Sequence, residues 1–167
     1  KEYDYMAADL TAYFDRPPNP FQELIRHALF VRPDYAVTVD RLIAFKPHAF
    51  DWVCHFTGAP RLEGDWVKGG GEEGDLLGVR VLRPSFFVAS TGRRRVKRAL
   101  NWVRIRPTRS TVRMRFAMLL YPTTEAAWDR KPAITVHRED ERGLEMTVAM
   151  PDGRRDGVEM VYGPEGY

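Results

Sequence analysis

Cysteine is almost absent from this chain: Cys54 is the one thiol in 167 residues. A lone cysteine excludes an internal disulfide and a multi-cysteine metal site. Long apolar runs are missing too, and no stretch approaches the ~20 residues that a membrane-spanning helix needs. The four histidines, His27, His48, His55 and His137, show no metal-ligand spacing within one element. There is no Gly-x-Ser-x-Gly elbow, no His-Glu-x-x-His and no usable Ser-His-Asp order, so the familiar hydrolase and metalloprotease signatures are excluded. The most informative absence is local. Between Arg80 and Arg115 there is not one aspartate or glutamate.

That acid-free stretch holds twelve basic residues, among them Arg93, Arg94, Arg95, Lys97, Arg98, Arg104, Arg106, Arg113 and Arg115. The chain has 26 Lys and Arg against 23 Asp and Glu, so 14 basic residues face all 23 acidic ones outside the block. A net charge of +3 thus conceals a basic block in an acidic frame. Such a division predicts a positive surface facing an anionic polymer or an acidic surface of another domain.

Hydrophobic content of 44% and aromatic content of 12% suit a packed core and exclude disorder. Residues 1–167 are expected to form one β-sandwich domain. The chain opens at Lys1 without Met and is expected to be a piece of a longer protein, with any targeting segment upstream. Periodic segments have period two, as in Tyr35–Ala44 and in Val112, Met114, Phe116 and Met118, which marks half-buried antiparallel strands. Turn signals such as Arg32-Pro33-Asp34, Arg142-Gly143 and Pro151-Asp152-Gly153 separate them.

About ten to twelve strands are predicted, near 3–9, 25–31, 35–44, 49–57, 64–67, 76–83, 86–90, 98–106, 111–121, 134–139, 144–150 and 157–162. The fold class is all-β, an antiparallel sandwich of two large packed sheets with very little helix. Helix-like spacing occurs only at Pro20–Arg26 and Thr123–Asp129. Gly64–Gly78, with its Gly69-Gly70-Gly71 run, reads as a mobile insert that packs no core. It lacks the lysine and hydroxyl ending and the following helix of a phosphate-binding loop.

Val103–Arg106 and Val112–Arg115 are expected to pair as a hairpin across Pro107–Ser110. Period two would then place Arg104, Arg106, Arg113 and Arg115 on one face opposite the core. Guanidinium forks suit the planar oxygens of carboxylates and sulfates. The competing reading is a solvated face neutralised by acidic partners of the domain itself, and the two carry equal weight. The Arg93–Arg98 cluster is expected to start in a loop. It raises nucleic acid as a partner, a reading disfavoured because no aromatics alternate with the arginines. His55 with Asp40 or Asp51 is a candidate acid/base pair across strands, set against a structural, hydrogen-bonded histidine. Cys54 reads as a small buried hydrophobe. Trp52, Trp66, Trp102 and Trp128 are candidates to stack on sugar rings, against which Trp52 and Trp102 are expected in the core or between sheets.

The order of Asp9–Tyr13, then Arg26–Leu42, then a segment ending in Trp52-Val53-Cys54-His55 resembles the C-terminal β-sheet domain of heparinase II/III-like polysaccharide lyases. That group includes some alginate lyases. Phe116–Pro122 fits the closing strands of that domain more loosely. The resemblance implies a β-supersandwich preceded by a helical toroid, in an enzyme that cleaves uronate-containing polysaccharide by β-elimination. It implies an acidic polysaccharide and the missing toroid as partners, and an extracytoplasmic, periplasmic or secreted location. The toroid's tyrosine, histidine and asparagine and the family's metal-binding segments have no counterpart here. The resemblance therefore carries over no catalytic or metal residue, no cofactor for this chain, and at most a divalent metal in the parent enzyme. The alternatives kept beside it are a non-catalytic carbohydrate-binding or structural module and, last, a nucleic-acid binder.

Overall fold

A computed structural model describes residues 2–14, 21–71, 74–95 and 99–162. The chain groups into two compact units, residues 1–124 and 125–167. The all-β expectation holds, with thirteen strands among the described residues. They form three antiparallel sheets of seven, three and three strands rather than two large ones.

In the first unit the strands are β1 (Tyr3–Asp9), β2 (Phe21–Val31), β3 (Tyr35–His48), β4 (Trp52–Phe56), β5 (Arg61–Glu63), β6 (Trp66–Gly70), β7 (Asp75–Arg83), β8 (Phe87–Arg95), β9 (Ala99–Pro107) and β10 (Thr111–Thr124). A 3₁₀ turn covers Thr11–Phe14. The seven-stranded sheet runs β1-β2-β3-β10-β7-β6-β5, and the smaller sheet runs β4-β9-β8. β3 and β10 lie at the centre of the large sheet. Tyr35–Val37 and Phe116–Leu119 are buried as continuous runs, the pattern of strands covered on both faces.

The two sheets share one core. Leu24, Leu42, Val67, Val79, Val81, Phe116 and Met118 of the large sheet pack with Trp52, Phe56, Val103 and Ile105 of the small one. Fully burying each aliphatic side chain contributes about 1.5–3 kcal/mol. Period two then fixes what points outward. On β9, Val103 and Ile105 take the core side, so Trp102, Arg104 and Arg106 face away from it.

Three expectations need correction. β9 and β10 do not pair: β9 sits between β4 and β8, and β10 between β3 and β7, so Pro107–Ser110 carries the chain from one sheet to the other. Phe21–Arg26 is strand, not helix, because Leu24 and Ile25 are both buried on opposite faces. The glycine insert is mostly a β6–β7 hairpin. Gly69 is buried, and a Cβ there would lie 1.8 Å from the Phe56 ring. Residues 72–73 of that segment fall outside the described residues.

The second unit opens on a 3₁₀ turn, Glu125–Arg130, with Trp128 buried. The three-stranded meander that follows is β11 (Ala133–Glu139), β12 (Gly143–Ala149) and β13 (Arg155–Val161). Leu144, Met146, Val148, Val158 and Met160 form its buried side. On the other side Arg138 pairs with Glu159 at 3.3 Å and Glu145 at 3.8 Å. The β12–β13 turn uses Gly153 at φ 87°, a left-handed conformation that glycine adopts without strain.

Candidate functional site

The four arginines singled out by the sequence divide between two places. Arg104 and Arg106 lie on the outward face of β4-β9-β8. Arg113 and Arg115 lie on the face of the large sheet that points away from the shared core, opposite Ile43 and Arg41 of β3. The predicted single face therefore does not exist, because β9 and β10 belong to different sheets and turn their odd and even positions to different sides.

Arg106 is committed within the domain. Its Nε and Nη2 each donate to an Asp51 carboxylate oxygen at 2.6 Å. These bonds, with the charges of Arg106 and Arg104, hold the Asp51 carboxyl below the ordinary carboxylate range against partial desolvation. Arg104 is less constrained. Its Nε donates to Ser90 Oγ at 3.2 Å, and its Nη1 lies 3.9 Å from Asp51. Its guanidinium lies 5.7 Å from the Trp102 ring centroid. Trp102 thus faces outward beside the arginines, whereas Trp52 is in the core as expected. Arg93–Arg95 complete β8 rather than opening a loop. Residues 96–98 of that cluster lie outside the described residues.

The Arg115 face of the large sheet carries a second polar group. Tyr5 Oη and His27 Nδ1 are 2.6 Å apart, and their rings stack with centroids 6.1 Å apart. His27 is 1% exposed while Tyr5 is half exposed. Burial first, then the charge of Arg41, lowers the His27 pKa below 6.5, against an opposing pull from Asp40. Arg41 pairs with Glu23 at 3.1 Å. A neutral imidazole therefore supports a tyrosine hydroxyl next to a row containing Arg41 and Arg115. Strand alternation places Tyr5 and His27 on this side, but their contact is diagonal across β1 and β2 and has no sequence signal.

His55 and Asp40 are not brought together. His55 is exposed on β4, on the outward side opposite Trp102. Asp40 is 5% exposed on β3, and its two oxygens accept from Arg26 Nε at 2.5 Å and Nη2 at 2.7 Å. That pairing commits the Asp40 side chain to Arg26. Cys54 packs against the shared core, and burial raises its thiol pKa. No group of three or more His, Cys, Asp or Glu among the described residues could hold a metal ion. No helix among them is long and apolar enough to cross a membrane. An open groove of about 440 Å³, lined by residues including Asp65, Ser85, Phe86 and Thr108, contains none of the four arginines.

Comparison of the backbone with solved structures finds heparan sulfate lyase HepC of Pedobacter heparinus, with a TM-score of 0.65 at 16% identity over 96% of this chain. Two heparinase III structures match at TM-scores of 0.69 and 0.68, with 15% and 11% identity, again over 96% of the chain. The fold is that of the β domain of heparinase III-like lyases. The chain spans about a quarter (26%) of the length of each of those proteins. No protein-family model and no curated sequence matches it.

Proposed function

We propose that the chain is the β-sandwich domain of a polysaccharide lyase acting on uronate-containing acidic polysaccharide, and that it shapes the anionic cleft or docks the helical catalytic domain without breaking bonds itself. One observation carries this reading: nearly the whole chain superposes on a quarter of each heparinase-type lyase. β-Elimination requires that the uronate carboxylate be neutralised, the adjacent proton removed and the leaving oxygen protonated. In this reading the basic residues contribute to the first requirement by lowering the energy of negative charge near the chain. Proton transfer belongs to the residues of the absent catalytic domain, as does any divalent metal of the parent enzyme. An extracytoplasmic location goes with the same reading.

The test uses the purified chain with heparin, heparan sulfate and alginate. The expected outcome is salt-sensitive retention on the immobilised acidic polymers and no ultraviolet-absorbing unsaturated uronate. Product from the pure chain would overturn the non-catalytic role. Retention no greater than on neutral dextran would overturn the acidic-polysaccharide reading. Retention without a catalytic partner would equally fit a free-standing carbohydrate-binding module. Enhancement of a helical lyase domain's activity on mixing would decide for the lyase.

A further inference from the structure

We propose that the outward face of the β4-β9-β8 sheet is a binding surface for anionic sugar units, built from Trp102, Arg104, Arg94 and His55. The proposal rests on the acidic-polysaccharide reading above and commits it to one surface.

The decisive feature is how Trp102 is held. It stands opposite Gly92 on β8 and opposite His55 on β4. A Cβ on Gly92 would lie 2.2 Å from Trp102 Cζ2 and 2.5 Å from Cε2. The indole therefore occupies the space a side chain at position 92 would fill and lies across the sheet. Of the four tryptophans, Trp52, Trp66 and Trp128 are 8%, 7% and 3% exposed. Trp102 alone is only half-buried. An indole fixed across a flat strand surface gives a pyranose ring an apolar contact at little cost in side-chain entropy.

Two arginines and a histidine surround it. Arg104 is two residues along the same strand. Its Nε is engaged by Ser90, its Nη1 lies 3.9 Å from Asp51, and the side chain is 37% exposed. Arg94 is exposed two residues beyond Gly92 on β8 and makes no ion pair among the described residues. His55 is exposed on the third strand. Same-face neighbours along a strand are ~6.6 Å apart, so the row from Arg94 past Trp102 to Arg104 is about 13 Å long. Arg106, with Nε and Nη2 both engaged by Asp51, anchors the loop before β4. A planar fork beside an aromatic surface suits a carboxylate or sulfate attached to a ring. One indole does not provide the successive stacking platforms of a single-stranded nucleic-acid groove.

The experiment reads Trp102 directly. Acrylamide quenching of the intrinsic fluorescence is measured with heparin-derived, alginate-derived and neutral dextran oligosaccharides and with single-stranded oligothymidylate. The expected result is protection by the anionic oligosaccharides and none by dextran. The heparin and alginate arms decide whether sulfate or carboxylate is preferred. Arg104→Gln and Arg94→Gln, both on the surface, should each weaken binding on the order of tenfold. Arg113→Gln with Arg115→Gln should leave it unchanged. Binding that survives Arg104→Gln and falls with the Arg113/Arg115 pair would overturn this surface while leaving the polysaccharide reading standing. No binding to any acidic oligosaccharide would overturn both. Tighter binding of oligothymidylate than of either sugar would also overturn the proposal.

Discussion

Replacing Gly69 by alanine separates a packed hairpin from a mobile loop, because the two give opposite signs. In the structure, the added methyl would sit 1.8 Å and 1.9 Å from Cδ1 and Cε1 of Phe56, a ring only 5% exposed in the shared core. Phe56 must move, and its neighbours Val67, Val79 and Val103 are 0% exposed, so the core has little room to absorb the shift. Overpacking of this kind costs about 1–3 kcal/mol. With a urea slope near ~2 kcal/mol per molar, the unfolding midpoint should fall by roughly 0.5–1.5 M. Gly157→Ala is the control, since a Cβ there meets nothing within 4 Å, and its effect should stay within about 0.5 kcal/mol. In a Phe56→Leu background the cost of Gly69→Ala should shrink by about 1 kcal/mol, read as a coupling in a double-mutant cycle. If the glycine run were a mobile loop, Gly69→Ala would be neutral or would stabilise by about 0.4–1 kcal/mol through the unfolded chain. That result would refute the packing of β6 on β4.

Ile105→Ala, at a site with 0% exposure, should cost about 2–5 kcal/mol in denaturant unfolding, whereas Val112→Ala, at 39% exposure, should stay within about 1 kcal/mol. Asp51 has a lowered folded pKa, so its pair with Arg106 stabilises the fold fully above the ordinary aspartate value of 3.8. That contribution is lost as pH falls through the lowered folded value, and Asp51→Asn should remove this part of the acid dependence of Tm. His27 also has a lowered folded pKa, but here the protonated form is the disfavoured one. Its contribution is complete above 6.5 and declines as pH falls below it toward the folded value. His27→Gln should flatten that decline, and the imidazole proton resonances of His27 should report more than half of the rings neutral at pH 6.5.

The strands were legible where period two was strong or where an apolar run was long, as in β3 and β10. β5 was not: Arg61, Leu62 and Glu63 are all exposed and show no alternation that burial imposes. Phe21, Leu24 and Ile25 have the spacing of a helix face, yet a strand covered on both sides produces the same residues. Which strands pair was the least legible property. Four residues between two basic, alternating runs looked like a hairpin turn, and only the packing of Val103 and Ile105 against the large sheet shows that the chain changes layers there. The same hidden crossing divided the four arginines. Asp51 could not be assigned to Arg106 from sequence, since 55 residues separate them. Trp102 was expected inside because tryptophan usually is. Its position on the outside follows from the parity of β9 and from the missing side chain at Gly92.

The place of β10 between β3 and β7 matters for synthesis on the ribosome. Leu120 must meet Ala36 on one side and Val79 on the other, so neither neighbour gains its partner until the chain has grown past Thr124. At ~5–20 residues per second, translation from the end of β3 to the end of β10 takes on the order of 4–15 s. Throughout that interval the nascent protein carries incomplete β-sheet with an unpaired, largely apolar border, the kind of border that chaperones cover and that neighbouring polypeptides invade.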